Sequence, residues 1–160
     1  MTERPEPGPA QPAARGGAVP SGALEDLVVV SIAQNLPGPV AAARLQGLGA
    51  RVVTIQPPSG DPLRHQLPEL FEHLHRGQAV LSLDLKSDEG RERLEGLLEG
   101  ADLLLSSSRA GALRRLGLDF ASVHPRHPGL CQVDLVGFPG DHADRPCLLY
   151  TSDAADEEDS

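Results

Sequence analysis

Apolar positions along this chain fall in short blocks separated by glycine, proline and charged residues, and the blocks alternate between two periods. Leu27-Val28-Val29-Val30-Ser31-Ile32 is a β-branched run without polar alternation, which predicts a strand buried on both faces. Pro37-Gly38-Pro39 breaks it. Val40 to Leu48 then has helical spacing, and Gly49 stands where a helix C-terminal glycine belongs. Arg51-Val52-Val53-Thr54-Ile55 predicts a second buried strand, stopped by Pro57-Pro58. Ala79 to Leu83 predicts a third. Ser87 or Asp88 can cap a helix running to about Leu98. On that helix Leu94, Leu97 and Leu98 share one face, while Glu89, Arg91, Glu92, Arg93 and Glu95 are mostly solvated. Leu103-Leu104-Leu105 predicts a fourth strand, followed by a short helix through Leu113 and Leu116 and a turn or helix from Asp119. Leu130 to Val136 predicts a fifth strand.

Strands alternating with helices of ten or so residues imply right-handed crossovers and a mainly parallel sheet. The expected fold class is therefore α/β, a Rossmann-like parallel sheet with crossover helices. Such sheets bind ligands beyond the carboxyl ends of their strands. Here those ends lead into Ala33–Pro39, Gln56–Arg64, Asp84–Asp88 and Ser106–Gly111.

The two ends of the chain break the pattern. Residues 1–23 hold Pro5, Pro7, Pro9, Pro12 and Pro20 with no hydrophobic period, and read as a disordered leader. From about Cys147 the sequence CLLYTSDAADEEDS extends neither period, so residues 147–160 are expected to be an aberrant acidic tail joined to an interrupted frame. Residues 24–146 are left as the domain.

Composition narrows the function. Five acidic groups of the tail supply much of the net charge of −9, and no basic stripe suggests nucleic acid. Aromatics are 2% of the chain, so the core must be aliphatic and stacking platforms are scarce. No apolar run is long enough to span a bilayer, and no secretory signal precedes the domain; the expected location is the cytoplasm. Cys131 and Cys147 are expected to be reduced thiols.

Gly47 and Gly49 lie at a helix end, the wrong place for a dinucleotide fingerprint, and no third glycine completes it. His73 and His75 would share one face of a strand, but without further ligands at matching spacing no metal site is expected. The six histidines read as solvated or loop residues. Ser106-Ser107-Ser108 lacks the glycines of a nucleophile elbow and reads as a polar loop lining a groove. Arg64, Lys86, Arg109 and Arg115 follow strands two, three and four, and the helix after Pro37-Gly38-Pro39 could offer amides to an anion. Together they suit a phosphorylated, amphipathic ligand.

An ordered set of blocks then carries a resemblance. Gly38-Pro39, Leu48-Gly49-Ala50-Arg51-Val52-Val53, Gly60-Asp61-Pro62-x-Arg64, Leu83-Asp84-Leu85-Lys86, Gly90-Arg91, Ala101-Asp102, Arg109-x-Gly111, Leu116-Gly117-Leu118, His127-Pro128 and Gly137-Phe138 follow one another at natural spacing. The set resembles the N-terminal region of family III coenzyme A transferases (the CaiB/BaiF type), a group similar to the α-methylacyl-CoA racemases. The resemblance implies a CoA-binding Rossmann-like domain of a longer chain that forms interlocked homodimers. It implies CoA as substrate, with acyl-CoA and carboxylic acids as partners and no metal. By motif position, CoA contacts would fall on Leu36, Pro37, Pro57, Leu83, Asp84, Leu85, Lys86, Ser107, Ser108, Arg109 and Arg115. Gln56 stands where the family commonly has glutamate, and Gln78 where a lysine is frequent.

In the family's transferases an aspartate shortly after the Gly-Phe loop attacks the acyl-CoA thioester; in its racemases the corresponding residue works as an acid/base. Here Asp144-Arg145-Pro146 leads into Cys147-Leu148-Leu149, with no aspartate before Asp153. The resemblance thus implies a fragment that holds the CoA-binding half and lacks the nucleophile. A non-catalytic CoA- or nucleotide-binding module remains the alternative.

Overall fold

In a computed structural model that describes residues 22–138 and 140, strands and helices alternate along the chain. The leader to residue 21, His142, Cys147, the stretch around Pro146 and the acidic tail lie outside the described residues. The strands are β1 (Val28–Ser31), β2 (Arg51–Gln56), β3 (Ala79–Ser82), β4 (Leu103–Ser106) and β5 (Cys131–Asp134). All neighbouring pairs are parallel, in the order β3-β2-β1-β4-β5. The order reverses between β1 and β4, which makes their carboxyl ends the topological switch point.

The first helix, α1 (Pro37–Gly47), begins earlier than the apolar period suggested. Proline is tolerated in a first helical turn because its missing N–H would have no partner there. Leu48 and Gly49 (φ 108°) end the helix as expected. Two short helices follow β2, α2 (Pro62–Gln66) and α3 (Pro68–Leu74), each opened by a proline at its first position. They correct one expectation. His73 lies in α3 and His75 caps its end, so the pair is not on a strand face. His73 is exposed, while His75 is buried with its ring nitrogen Nδ1 2.8 Å from the Phe71 carbonyl oxygen, so His75 is not a solvated histidine either.

The remaining helices are α4 (Asp88–Leu98), α5 (Ala110–Leu116) and α6 (Phe120–Val123). Ser87 caps α4, accepting from the Gly90 amide at 3.0 Å. Alternation along the strands divides the core between two faces. Ala42 of α1 covers Val29, Ala33, Val52 and Leu105, with Ala41 and Leu45 packed beside them. On the opposite face Leu94 and Leu98 of α4, Leu113 of α5 and Val123 of α6 cover Val30, Ile32, Ile55 and Leu104. Leu63, Phe71 and Leu74 seal α2 and α3 against the outer side of α1 through Ala43. Burying a leucine such as Leu104 contributes about 2 kcal/mol. Aliphatic packing therefore holds a rigid sheet whose carboxyl edge carries the loops of interest.

Candidate functional site

At the switch point, β1 ends in Ser31 and the chain runs through Ile32 and Ala33 into an exposed turn at Leu36 and Pro37. This turn is held from both sides. From the β4 side, the Ser107 hydroxyl accepts the Gln34 N–H at 2.9 Å and lies 3.3 Å from the Gln34 carbonyl, to which it donates. From the β2 side, the buried Asp61 carboxylate accepts the Asn35 N–H on Oδ1 at 3.1 Å. The same oxygen caps α2 by accepting the Leu63 N–H at 2.8 Å. Asn35 is left-handed (φ 63°), a conformation that costs an L-residue roughly 1 kcal/mol and that asparagine tolerates better than most.

Gly38 lets α1 come down directly onto the end of β1. A Cβ there would lie 2.3 Å from the Ala33 Cβ and 3.0 Å from its carbonyl carbon. The helix start offers less to an anion than the sequence suggested. Pro37 and Pro39 carry no N–H, and the Val40 N–H is taken by the Leu36 carbonyl at 3.1 Å. Gly38 alone among the first three helical residues has an amide to give.

Beyond β3, Leu83 to Ser87 fold into a tight local turn. The Asp84 side chain accepts the Lys86 N–H at 3.0 Å, and the Asp84 carbonyl accepts the Ser87 N–H at 3.0 Å and its hydroxyl at 2.8 Å. Leu83 and Leu85 point inward and pack on the core, so a ligand would meet their edges; Asp84 and Lys86 are exposed. Beyond β4 the adjacent serines part. Ser107 faces the β1 loop, whereas Ser108 lines a cavity of about 110 Å³ on the β5 side with Asp119, Phe120 and Asp134. Pro57 is half-buried after β2, and Arg109 caps α5 without a side-chain bond.

The four cations are not one cluster. Arg64 belongs to α2, with its guanidinium over the Phe71 ring at 5.3 Å. Arg115 sits in the last turn of α5, away from the loop. Lys86 and Arg109 remain at the carboxyl edge, in the segments that follow β3 and β4, which two strands separate. At about 4.8 Å per strand the ends of β3 and β4 that lead into them are roughly 14 Å apart. A ligand engaging both must be extended.

An open groove of about 910 Å³ runs along the outer flank of α4, lined by Ser82, Leu83, Asp84, Gly90, Arg93 and Leu97 among others. It holds only two of the eleven candidate contacts, and Glu89 and Glu92 on its lip disfavour phosphate. Topology favours the switch point instead. Sequence reasoning missed the roles of Gln34, Asn35 and Asp61. For Asp61 a signal existed, since an aspartate directly before a proline is a helix-start pattern. Among the described residues there is no group of three or more His, Cys, Asp or Glu that could hold a metal, and no helix is long and apolar enough to cross a membrane. Cys131 is free and exposed.

The sheet is parallel and doubly wound, with polar loops gathered at its switch point, the place where sheets of this kind bind ligands. Residues 24–155 match the family CoA-transferase family III, and the chain belongs to that family. It is 36% identical over 110 residues to CoA-transferase/lyase DddD of Marinomonas sp., covering 69% of this chain and 13% of that protein. It is 32% identical over 128 residues to succinyl-CoA:mesaconate CoA-transferase of Haloarcula hispanica, covering 73% of this chain and 32% of the relative. The fold is similar to part of that of a CAIB/BAIF family protein from Brucella suis, with a TM-score of 0.73 at 30% identity, covering 80% of this chain and 37% of the other. The chain thus spans about a third of the length of the haloarchaeal relative.

Proposed function

We propose that this chain forms the CoA-binding part of a transferase that moves CoA between carboxylic acids. The observation that carries this reading is the gathering of the β1, β2 and β4 loops at the switch point, bound together by Ser107 and Asp61. Leu36, Pro37 and Pro57 would offer apolar edges to adenine and pantetheine. Lys86 and Arg109 would meet phosphates at separate points of an extended ligand, with Leu83, Asp84, Leu85, Ser107 and Ser108 lining the path between. Arg115, in the last turn of α5, would serve the more distant end.

In the full-length protein an aspartate would attack the acyl-CoA thioester, giving a mixed acyl anhydride and CoA thiolate. The thiolate would attack the aspartyl carbonyl, releasing the first acid and leaving CoA bound to the enzyme as a thioester. A second carboxylate would repeat the two steps in reverse order. Transfer is favoured over racemisation because the relatives described above carry transferase names. The 160-residue chain would bind CoA and turn nothing over. Calorimetric titration of the chain with CoA, and with NAD as control, tests the reading. Heat and thermal protection from CoA but not NAD are expected; protection by NAD alone would sink it.

A further inference from the structure

We propose that Asp61 is a positioning residue for the CoA site, acting through the Asn35 amide to fix the turn that carries Leu36 and Pro37. The inference rests on the CoA-binding reading above. Asp61 is 2% exposed and cannot be a surface contact for a ligand. Its Oδ1 takes two backbone amides at once, Leu63 at 2.8 Å within its own helix start and Asn35 at 3.1 Å across the strand boundary. The first bond is what any helix-capping residue makes. The second joins positions 26 apart in sequence and holds a left-handed residue immediately before the exposed pair Leu36 and Pro37. A capping side chain shorter than aspartate would keep the first bond and lose the second.

This separates the tether from the cap experimentally. Asp61→Ser keeps a good helix cap but does not reach Asn35; Asp61→Asn removes the charge and keeps an acceptor of the same length. Each variant of the 160-residue chain is titrated with CoA, and amide hydrogen exchange is followed at Asn35 and Leu63 without ligand. The serine variant is expected to lose on the order of tenfold in CoA affinity, because the turn is no longer preorganised. Its Asn35 amide exchanges faster while Leu63 stays protected, and the asparagine variant matches the parent in both. Serine binding CoA as tightly as the parent, or asparagine losing as much as serine, overturns the tether. If the serine variant does not fold, the parent decides: an Asn35 amide that exchanges freely while Leu63 is protected overturns it. A parent chain that binds no CoA instead defeats the CoA-binding reading, and the exchange pattern then judges the tether by itself.

Discussion

The turn after β1 and the turn after β3 end in the same way, with a helix pressed back onto the turn that leads into it, yet they are held by different kinds of bond. At Gly38 the nearest obstacle to a Cβ is Ala33, and at Gly90 it is the Asp84 carbonyl oxygen at 2.0 Å. Around Asp84 the bonds are local: Lys86, Ser87 and Gly90 are tied within six residues of it. Around Asn35 they are remote, reaching 73 residues to Ser107 and 26 to Asp61. A turn closed by its own neighbours forms wherever its sequence goes. A turn closed by two other loops has its shape only when the sheet has brought those loops beside it. That dependence suits a binding site, because the ligand then meets a surface built from several strands.

The comparison breaks most severely at the glycines. Gly90→Ala and Gly38→Ala are each expected to cost about 3 kcal/mol, since the obstacles include backbone and the helix must move away from the turn before it. Urea unfolding of the two variants measures this, and a loss under 1 kcal/mol at either would show that the contact yields easily. Next comes Ser107→Ala. It strands the Gln34 N–H and is expected to cost about 1–2 kcal/mol and to weaken CoA binding several-fold. Ser87→Ala is expected to cost about 1 kcal/mol through the lost cap of α4, and to weaken CoA binding less than Ser107→Ala, because the Asp84 side chain still holds the Lys86 amide. Unchanged stability together with lost binding at Ser87 would reverse the roles given to the two turns. The smallest effect is expected at Arg93→Ala on the flank groove. There stability moves by less than about 0.5 kcal/mol. CoA affinity stays constant, whereas Arg109→Ala lowers it by roughly tenfold through a lost charge-assisted contact. Equal losses for Arg93 and Arg109 would move the site to the groove.

Much of the fold was legible because it is written in local pattern. The five strands come within two residues at either end of the apolar runs that predict them, and the Ser87 cap follows from one residue type before a helix. The helices α2 and α3 escaped because both are shorter than two full turns of reliable period, and proline starts each. His75 escaped for the same reason: its burial comes from stacking on Phe71, with ring centroids 4.0 Å apart, and a helix rather than a strand sets that spacing. Of the candidate contacts, sequence placed all on loops or helix starts except Leu83, at the end of the predicted third strand, and Arg115, inside a predicted helix. It could not say that Ser107 and Ser108 face different neighbours, or that Arg64 turns to a phenylalanine.

By itself the sequence determined the alternation of strand and helix, the parallel sheet that follows from it, and the ordered blocks that mark the family. Those are properties of hydrophobic period and of short-range capping, which act within a few residues. Tertiary structure alone decided which loops stand together: Gln34 between Ser107 and the β1 end, and Asn35 bonded to a buried Asp61. Strand order puts β4 and β2 on either side of β1, and hydrogen bonds reach only about 3 Å, so no distance along the chain could have revealed either partner.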